Sequence, residues 1–259
     1  MKPNEAFEDY YKALYGERWK RLREALLEES PSVPFASPRL ALPYYMDPAS
    51  VRAAESLRLG ENGTVLDACA APGGKSLVIA SALPDGAFLL SNELSRERRR
   101  RLLNVLDSHL SGEQRARVTV SGFDAASLGG KTDYRERFSG ILLDAPCSSE
   151  RHVIQNEKAL SRWTAARPRF LAQRQWALLS SCFLMLKPGA CLVYATCAIS
   201  AEENDGAAEK LLAKYGNRAA VDPPDFPEGE QTGFGRIILP DRSGGSGPMY
   251  VARFIKRMS

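Results

Sequence analysis

Two cysteines stand where thiol chemistry is possible. Cys147 follows Asp144-Ala145-Pro146 and Cys197 follows Thr196, and each lies at the end of an apolar run of strand type. A thiol attacks as its thiolate, and a nearby cation or helix N-terminus favours that form. Lys75 and several arginines could provide such a field, and Asp144 adds a carboxylate beside one of the thiols. The remaining cysteines differ in setting. Cys182 and Cys191 are embedded in apolar stretches and are expected to be small buried hydrophobes, whereas Cys69 belongs to a turn. Five cysteines without a CxxC pair, with only His109 and His152 for company, give no disulfide framework and no metal site.

The turn is DACAAPGGKS, Asp67 to Ser76. Its small residues Cys69, Ala70, Ala71, Pro72, Gly73 and Gly74 let the backbone approach a ligand closely, and the helix opening at Lys75 offers free N–H groups. The spacing is neither GxGxxG nor GxxxxGK[ST], so dinucleotide and P-loop nucleotide binding lose their main support. Glu93 ends the next strand, where an acidic side chain can accept hydrogen bonds from a ribose diol. Asp124 follows the third strand and could meet an adenine amino group, although either acid alone could equally cap a helix. In series the three features point to an adenosyl cofactor without a diphosphate.

A βα rhythm must position these residues. Strands are expected at Thr64–Ala68, Ala87–Asn92, Arg117–Val120, Phe138–Pro146 and Ala190–Cys197. Helices are expected near Lys75–Ala82, Ser95–Leu110, Pro168–Leu186 and Glu202–Tyr215, the third of them stopped by Lys187-Pro188-Gly189. Arg236–Pro240 and Met249–Ile255 flank a glycine-rich turn and predict a terminal antiparallel hairpin. The fold class is α/β: a Rossmann-like, doubly wound, mostly parallel sheet with a reversed C-terminal strand. In such sheets ligands collect at the carboxyl ends of the strands, where every candidate residue falls. Ahead of the sheet, Phe7, Tyr11, Leu14, Trp19, Leu22 and Leu26 recur at helical spacing. The chain therefore divides into a helical arm and connector over residues 1–43 and a main domain over residues 44–259.

The 259 residues carry 35 basic and 31 acidic side chains, a formal charge of +4. That balance permits a nucleic-acid partner without demanding one. Two arginine groups, Arg96 with Arg98–Arg101 and Arg151 with Arg162, Arg167, Arg169 and Arg174, flank the candidate loops and suggest phosphate contacts over solvated helix faces. No apolar run approaches the roughly 18 residues of a membrane span. The acidic N-terminal segment lacks a signal-peptide core, so a cytoplasmic protein is expected.

With these segments in place, the sequence resembles the Sun-domain, or Fmu-type, RNA cytosine-5 methyltransferases. The resemblance rests on DACAAPGGKS, ELSRERRRRLLN, the Asp124 region, LLDAPCSS and VYATCAISAEEN, with YYMDPAS ahead of the first strand, and covers Leu40 to the C-terminus. PCSSERH, GPMYVAR and the Gly16–Trp19 segment are similar to the branch acting on mitochondrial ribosomal and transfer RNA. Glu93 departs from the aspartate usual at its position, which keeps a ribose contact with longer reach. No large additional RNA-binding domain is recognised, leaving target selection to the arm, the basic faces or a protein partner.

The resemblance implies S-adenosylmethionine as cofactor, held by Cys69–Lys75, Glu93, Arg98, Asp124 and Asp144. It implies Cys197 as the nucleophile that adds to cytosine C6, Asp144 as the carboxylate stabilising the adduct, Cys147 as the cysteine that assists product release, and Lys75 as an aid between cofactor and base. RNA is the implied substrate, ribosomal RNA in preference to transfer RNA, bound by a monomer and read as an unpaired or extruded base. Two alternatives stay open: a catalytically silent RNA-binding assembly factor, and a DNA cytosine methyltransferase, which would use the thiol of the proline-cysteine pair as nucleophile.

Overall fold

The computed structural model describes residues 3–258. Two helices come first, α1 (Pro3–Tyr15) and α2 (Arg18–Leu27), separated by Gly16 at φ +56°. Their apolar stripe of Phe7, Tyr11, Trp19, Leu22 and Leu26 is buried in the same core as residues of the central sheet. The proline-spaced connector is not merely a linker: β1 (Val33–Phe35) pairs antiparallel with β2 (Tyr44–Met46). Three-residue strands with exposed or half-buried side chains leave no periodic signal in sequence. Helix α3 (Pro48–Glu55) starts on Asp47, whose carboxylate accepts the Ala49 N–H at 2.7 Å, with proline in the first turn.

The alternating body follows as β3 (Asn62–Asp67), α4 (Gly74–Ala82), β4 (Gly86–Asn92), α5 (Arg96–His109), α6 (Gly112–Ala116), β5 (Val118–Ser121), α7 (Ala125–Leu128) and β6 (Phe138–Asp144). Three helices, α8 (Glu150–Gln155), α9 (Glu157–Leu160) and α10 (Ala166–Met185), lead to β7 (Leu186–Thr196). The chain closes with α11 (Asp205–Tyr215), β8 (Ala219–Val221), β9 (Glu230–Gln231), β10 (Gly235–Ile238) and β11 (Met249–Lys256).

The main sheet runs β5-β4-β3-β6-β7-β11-β10-β9, with β8 paired to β11. Strands β5, β4, β3, β6 and β7 are parallel, and β11 is antiparallel to β7 with Tyr250 opposite Thr196. The order reverses at β3, so the crevice at the switch point opens beside the turn after β3 and the end of β6. Alternate residues of the buried strands feed two cores. Leu66, Ile141, Leu143, Leu192 and Tyr194 face α10, α11 and the N-terminal helices, while Val65, Leu142, Val193 and Ala195 face α3, α4 and α5. Cys182 and Cys191 are 0% and 2% exposed and belong to these cores, as expected of apolar thiols.

Two boundaries differ from the sequence expectation. Lys187-Pro188-Gly189 lies inside β7 rather than ending the preceding helix, because Leu186 already pairs with Phe138 and the register slips before Gly140. Helix α11 begins at Asp205 and not at Glu202, because Ser200–Asn204 is held as a turn by side-chain contacts to the neighbouring loop. Among the described residues no helix is long and apolar enough to cross a membrane.

Candidate active site

The turn after β3 is built for close approach. Gly73 sits at φ +125°, a region that side chains rarely adopt, and a Cβ on Gly74 would lie 2.8 Å from the Tyr44 ring. Asp67 anchors the turn from within: it is fully buried, accepts the Ser76 hydroxyl at 2.7 Å, and is pushed up to about 7 by burial. One helical position beyond the glycines, Lys75 Nζ donates to Asp144 Oδ2 at 2.7 Å and approaches Ser50 Oγ at 3.4 Å. Burial alone would lower the Lys75 pKa, but the Asp144 charge and hydrogen bond reverse this and hold it above its ordinary value. A cleft over this ion pair is lined by Cys69–Pro72, Gly74, Tyr44, Met46 and Ser50.

Parallel pairing of β6 with β7, Asp144 beside Ala195, carries the two candidate thiols to one point. Cys147 Sγ and Cys197 Sγ lie 2.9 Å apart, both as free thiols. Between them reaches Ser149, a non-glycine residue in the left-handed region at φ 54° and ψ 58°, with its Oγ 3.2 Å from Cys197 and 3.5 Å from Cys147. The pair is electrostatically unequal. The hydrogen bond from Cys147 lowers the Cys197 pKa, whereas the same contact and burial raise that of Cys147. Cys197 is thus the member suited to carry the thiolate, with Cys147 keeping its proton. Cys69 is distinct: burial raises its pKa well above the ordinary range, which leaves it a turn residue and not a nucleophile.

Two more clefts flank the ion pair. One, of about 280 Å³, is lined by Cys69, Glu93, Leu94, Arg98, Asp124 and Arg174 among others. Glu93 is 4% exposed and accepts the Ser95 N–H, but its buried Oε2 has no hydrogen bond, facing only Arg98 Nη1 in an ion pair at 3.2 Å. Arg98 also donates to Ala71 O at 2.8 Å, tying the turn to the Glu93 wall. Asp124 caps α7 and pairs with Arg174 at 2.5 Å, which lowers its pKa. The other cleft, of about 330 Å³, opens on Cys197 and includes Ser50, Ser149, Arg151 and His152. Cys69 borders the first two clefts, and Ser50 borders the ion-pair cleft and the thiol cleft, so the three are contiguous.

All sequence-derived site residues therefore gather along one sheet edge, with Glu93, Arg98 and Asp124 on one side and the thiols on the other. Several partners were not foreseen. Ser149 acts through a backbone conformation that residue type does not announce. Arg174 and Arg99 are bonded within the fold: Arg174 holds Asp124, and Arg99 donates to the carbonyls of Glu93 and Leu94. Arg169 pairs with Glu202 and Arg151 donates to backbone carbonyls of Ala25 and Gly245. Arg96 and Arg100, both exposed, have no such partner among the described residues.

The sheet order, reversed final strand and glycine turn define a Rossmann-like fold of the methyltransferase type. A solved methyltransferase homolog protein from Pyrococcus horikoshii shares it with a TM-score of 0.73 and 24% identity, covering 96% of this chain and 94% of that one. The chain belongs to the family described as 16S rRNA methyltransferase RsmB/F, whose match spans residues 54–255. The ribosomal RNA small subunit methyltransferase F of Aeromonas salmonicida is 39% identical over 172 residues, 66% of this chain and 35% of that protein. The mitochondrial tRNA (cytosine(34)-C(5))-methyltransferase of Mus musculus is 31% identical over 228 residues, 83% of this chain and 64% of that protein. The chain thus spans about a third of the length of the first bacterial relatives it matches.

Proposed function

We propose that the chain is an S-adenosylmethionine-dependent RNA cytosine-5 methyltransferase acting on ribosomal RNA in the cytoplasm as a monomer, with transfer RNA as the second candidate substrate. The observation that carries this reading is the apposition of Cys147 and Cys197 beside the Lys75–Asp144 pair, at the mouth of a cleft. Family membership and the names of the relatives support the substrate class.

The cofactor fits the residues present. Glu93 offers a buried carboxylate oxygen that lacks a hydrogen bond, which a ribose hydroxyl would satisfy, and Gly74 lines the ion-pair cleft with no side chain of its own to narrow it. Cys69–Gly74, Glu93, Arg98 and Asp124 would hold it, and when bound it supplies an activated methyl group. Lys75 and Asp144 stand between that site and the thiols, where the carboxylate can accept a hydrogen bond from the base while the ammonium holds it in place.

Cys197, favoured as thiolate, forms a bond to C6 of the target cytosine, which makes C5 electron-rich enough to accept a methyl group. Cys147, its sulfur 2.9 Å away, keeps its proton while Cys197 is charged. Once Cys197 is bound to C6 that charge is gone, Cys147 releases its proton to solvent, and its thiolate takes the C5 proton as the Cys197–C6 bond breaks, which regenerates the Cys197 thiolate. Denaturing electrophoresis with radiolabelled RNA tests this assignment. Cys197→Ala gives no protein–RNA adduct, Cys147→Ala accumulates one, and the double variant behaves as Cys197→Ala. Adduct in Cys197→Ala but not in Cys147→Ala reverses the roles, and adduct in neither defeats the covalent reading.

A further inference from the structure

Beneath the thiols lies a buried acidic cluster that the proposed chemistry does not use. Glu150 and Glu203 are both 0% exposed, and among the described residues neither has an ion-pair partner. Glu150 follows Ser149 directly, and Glu203 sits in the turn after Cys197. The Ser148 hydroxyl contacts Oε1 of both acids. Tyr11 of α1 donates to Glu150 Oε1, and Ile199 N–H donates to Glu150 Oε2 at 3.1 Å. Glu203 Oε2 accepts Ser148 N–H at 2.9 Å and Gln175 at 2.8 Å, and Gln175 also holds Pro146 O at 2.9 Å.

A count of protons decides the state of the cluster. The Ser148 hydroxyl has one hydrogen and two carboxyl oxygens against it, so it can donate to one and must accept from the other. The second carboxyl therefore carries a proton, and two carboxylates this close in a buried site could not both be charged. The contacts also fix geometry. They bind the Cys147–Ser149 turn to the Cys197 turn and to α1, and they brace the left-handed Ser149.

We propose that Glu150 and Glu203, sharing one proton through Ser148, are positioning residues that set the apposition of Cys147 and Cys197. The inference rests on the thiol reading of the site. Burial, the largest effect, raises both carboxyls, Glu203 to about 7. The titratable groups facing the pair are Tyr10, Tyr11 and Tyr15 of α1, Tyr194 of β7, and the two thiols, none of them a cation. Folded-state affinity for the proton exceeds that of the unfolded chain, so the stability it confers is lost as pH rises from the ordinary glutamate range through about 7.

The test compares the wild-type chain with Glu150→Gln, Glu203→Gln, Glu203→Ala and Ser148→Ala. Thermal unfolding is followed from pH 5 to pH 8, and iodoacetamide alkylation of Cys197 and Cys147 is resolved by peptide mass spectrometry. Neither assay needs RNA or cofactor, so failure here is distinct from failure of the methyl-transfer reading. Expected is a fall in wild-type Tm across this range that exceeds that of either glutamine variant by roughly 5 °C. The preference for alkylating Cys197 over Cys147 drops about tenfold in Glu203→Ala and is restored by Glu203→Gln, a change of roughly 1.4 kcal/mol. Ser148→Ala, which keeps both acids but removes the hydroxyl between them, gives the same loss should Glu203→Ala fail to fold. Equal Tm–pH slopes in wild type and both glutamine variants overturn the shared proton. An unchanged alkylation preference in Glu203→Ala or Ser148→Ala overturns the positioning role.

Discussion

Replacing Lys75 with methionine removes the cation from the site and leaves Asp144 without its partner. At 2.7 Å the gross attraction is about 6 kcal/mol at an effective dielectric of 20. Desolvation of the ammonium opposes it, but the raised Lys75 pKa shows that attraction wins. Side-chain exposures of 13% and 28% place the pair between surface and interior, so a net coupling of about 2–3 kcal/mol is expected, above the 0–1 of an exposed pair. Lys75→Met and Asp144→Asn should each destabilise by roughly 2 kcal/mol, and the double variant by less than their sum. For a chain of this size the single changes lower Tm by roughly 4–8 °C. The pH sign follows from the lysine: its folded pKa lies above the ordinary 10.5, so the contribution is full at neutral pH and is lost only as pH rises through the folded value. Urea unfolding at pH 7 in a double-mutant cycle measures the coupling. A coupling energy below about 0.5 kcal/mol refutes the reasoning, because the pair would then be screened as on an open surface.

Glu93→Ala should weaken S-adenosylmethionine binding by roughly 1–3 kcal/mol in calorimetry, the cost of leaving ribose hydroxyls unpaired, and unchanged affinity removes the ribose assignment. Arg96→Gln with Arg100→Gln should flatten the salt dependence of RNA binding by about one unit per lost phosphate contact, measured by filter binding from low to moderate salt. Arg99→Gln should instead lower thermal stability with little change in that slope, since its guanidinium is committed to the carbonyls of Glu93 and Leu94. Phe7→Ala should cost about 3–5 kcal/mol in chemical denaturation despite lying near the N-terminus, because Phe7 is fully buried against Tyr11, Trp19 and Trp163.

Sequence revealed the parts of the fold that repeat a period. Buried parallel strands such as Leu142–Leu143 and Leu192–Ala195 are continuous apolar runs, and the turn after β3 is marked by its own glycines. The thiols and Asp144 were legible for the same reason, since a strand end is a fixed address in a doubly wound sheet. The β1–β2 hairpin was hidden because three exposed residues per strand make no pattern. Glu203 was hidden differently: in AEEN it resembles an ordinary acidic helix start, and only packing against Ser148 and Gln175 separates it from its half-buried neighbour Glu202. The arginine runs could not be apportioned from sequence, because charge alone does not reveal which guanidiniums also bond within the fold, as Arg99, Arg151 and Arg174 do.

The N-terminal helices have a consequence for the order in which the chain can assemble during synthesis. Nearly everything they grip is encoded far downstream: Tyr11 bonds Glu150, Tyr15 bonds the Ile199 carbonyl, and Arg18 clasps both Glu230 and Asp241. A nascent chain emerging from a ribosome exposes Phe7, Tyr11 and Trp19 long before Trp163 exists to cover them. These helices are made before the segments they grip and can dock only after them, and closing contacts of such sequence separation is slow. Until they dock, Glu150 lacks its tyrosine donor. The thiol loop receives its full set of braces only once Glu203 has been made and the two helices have docked, so a product in which they have not docked carries both cysteines without all the contacts that set them side by side.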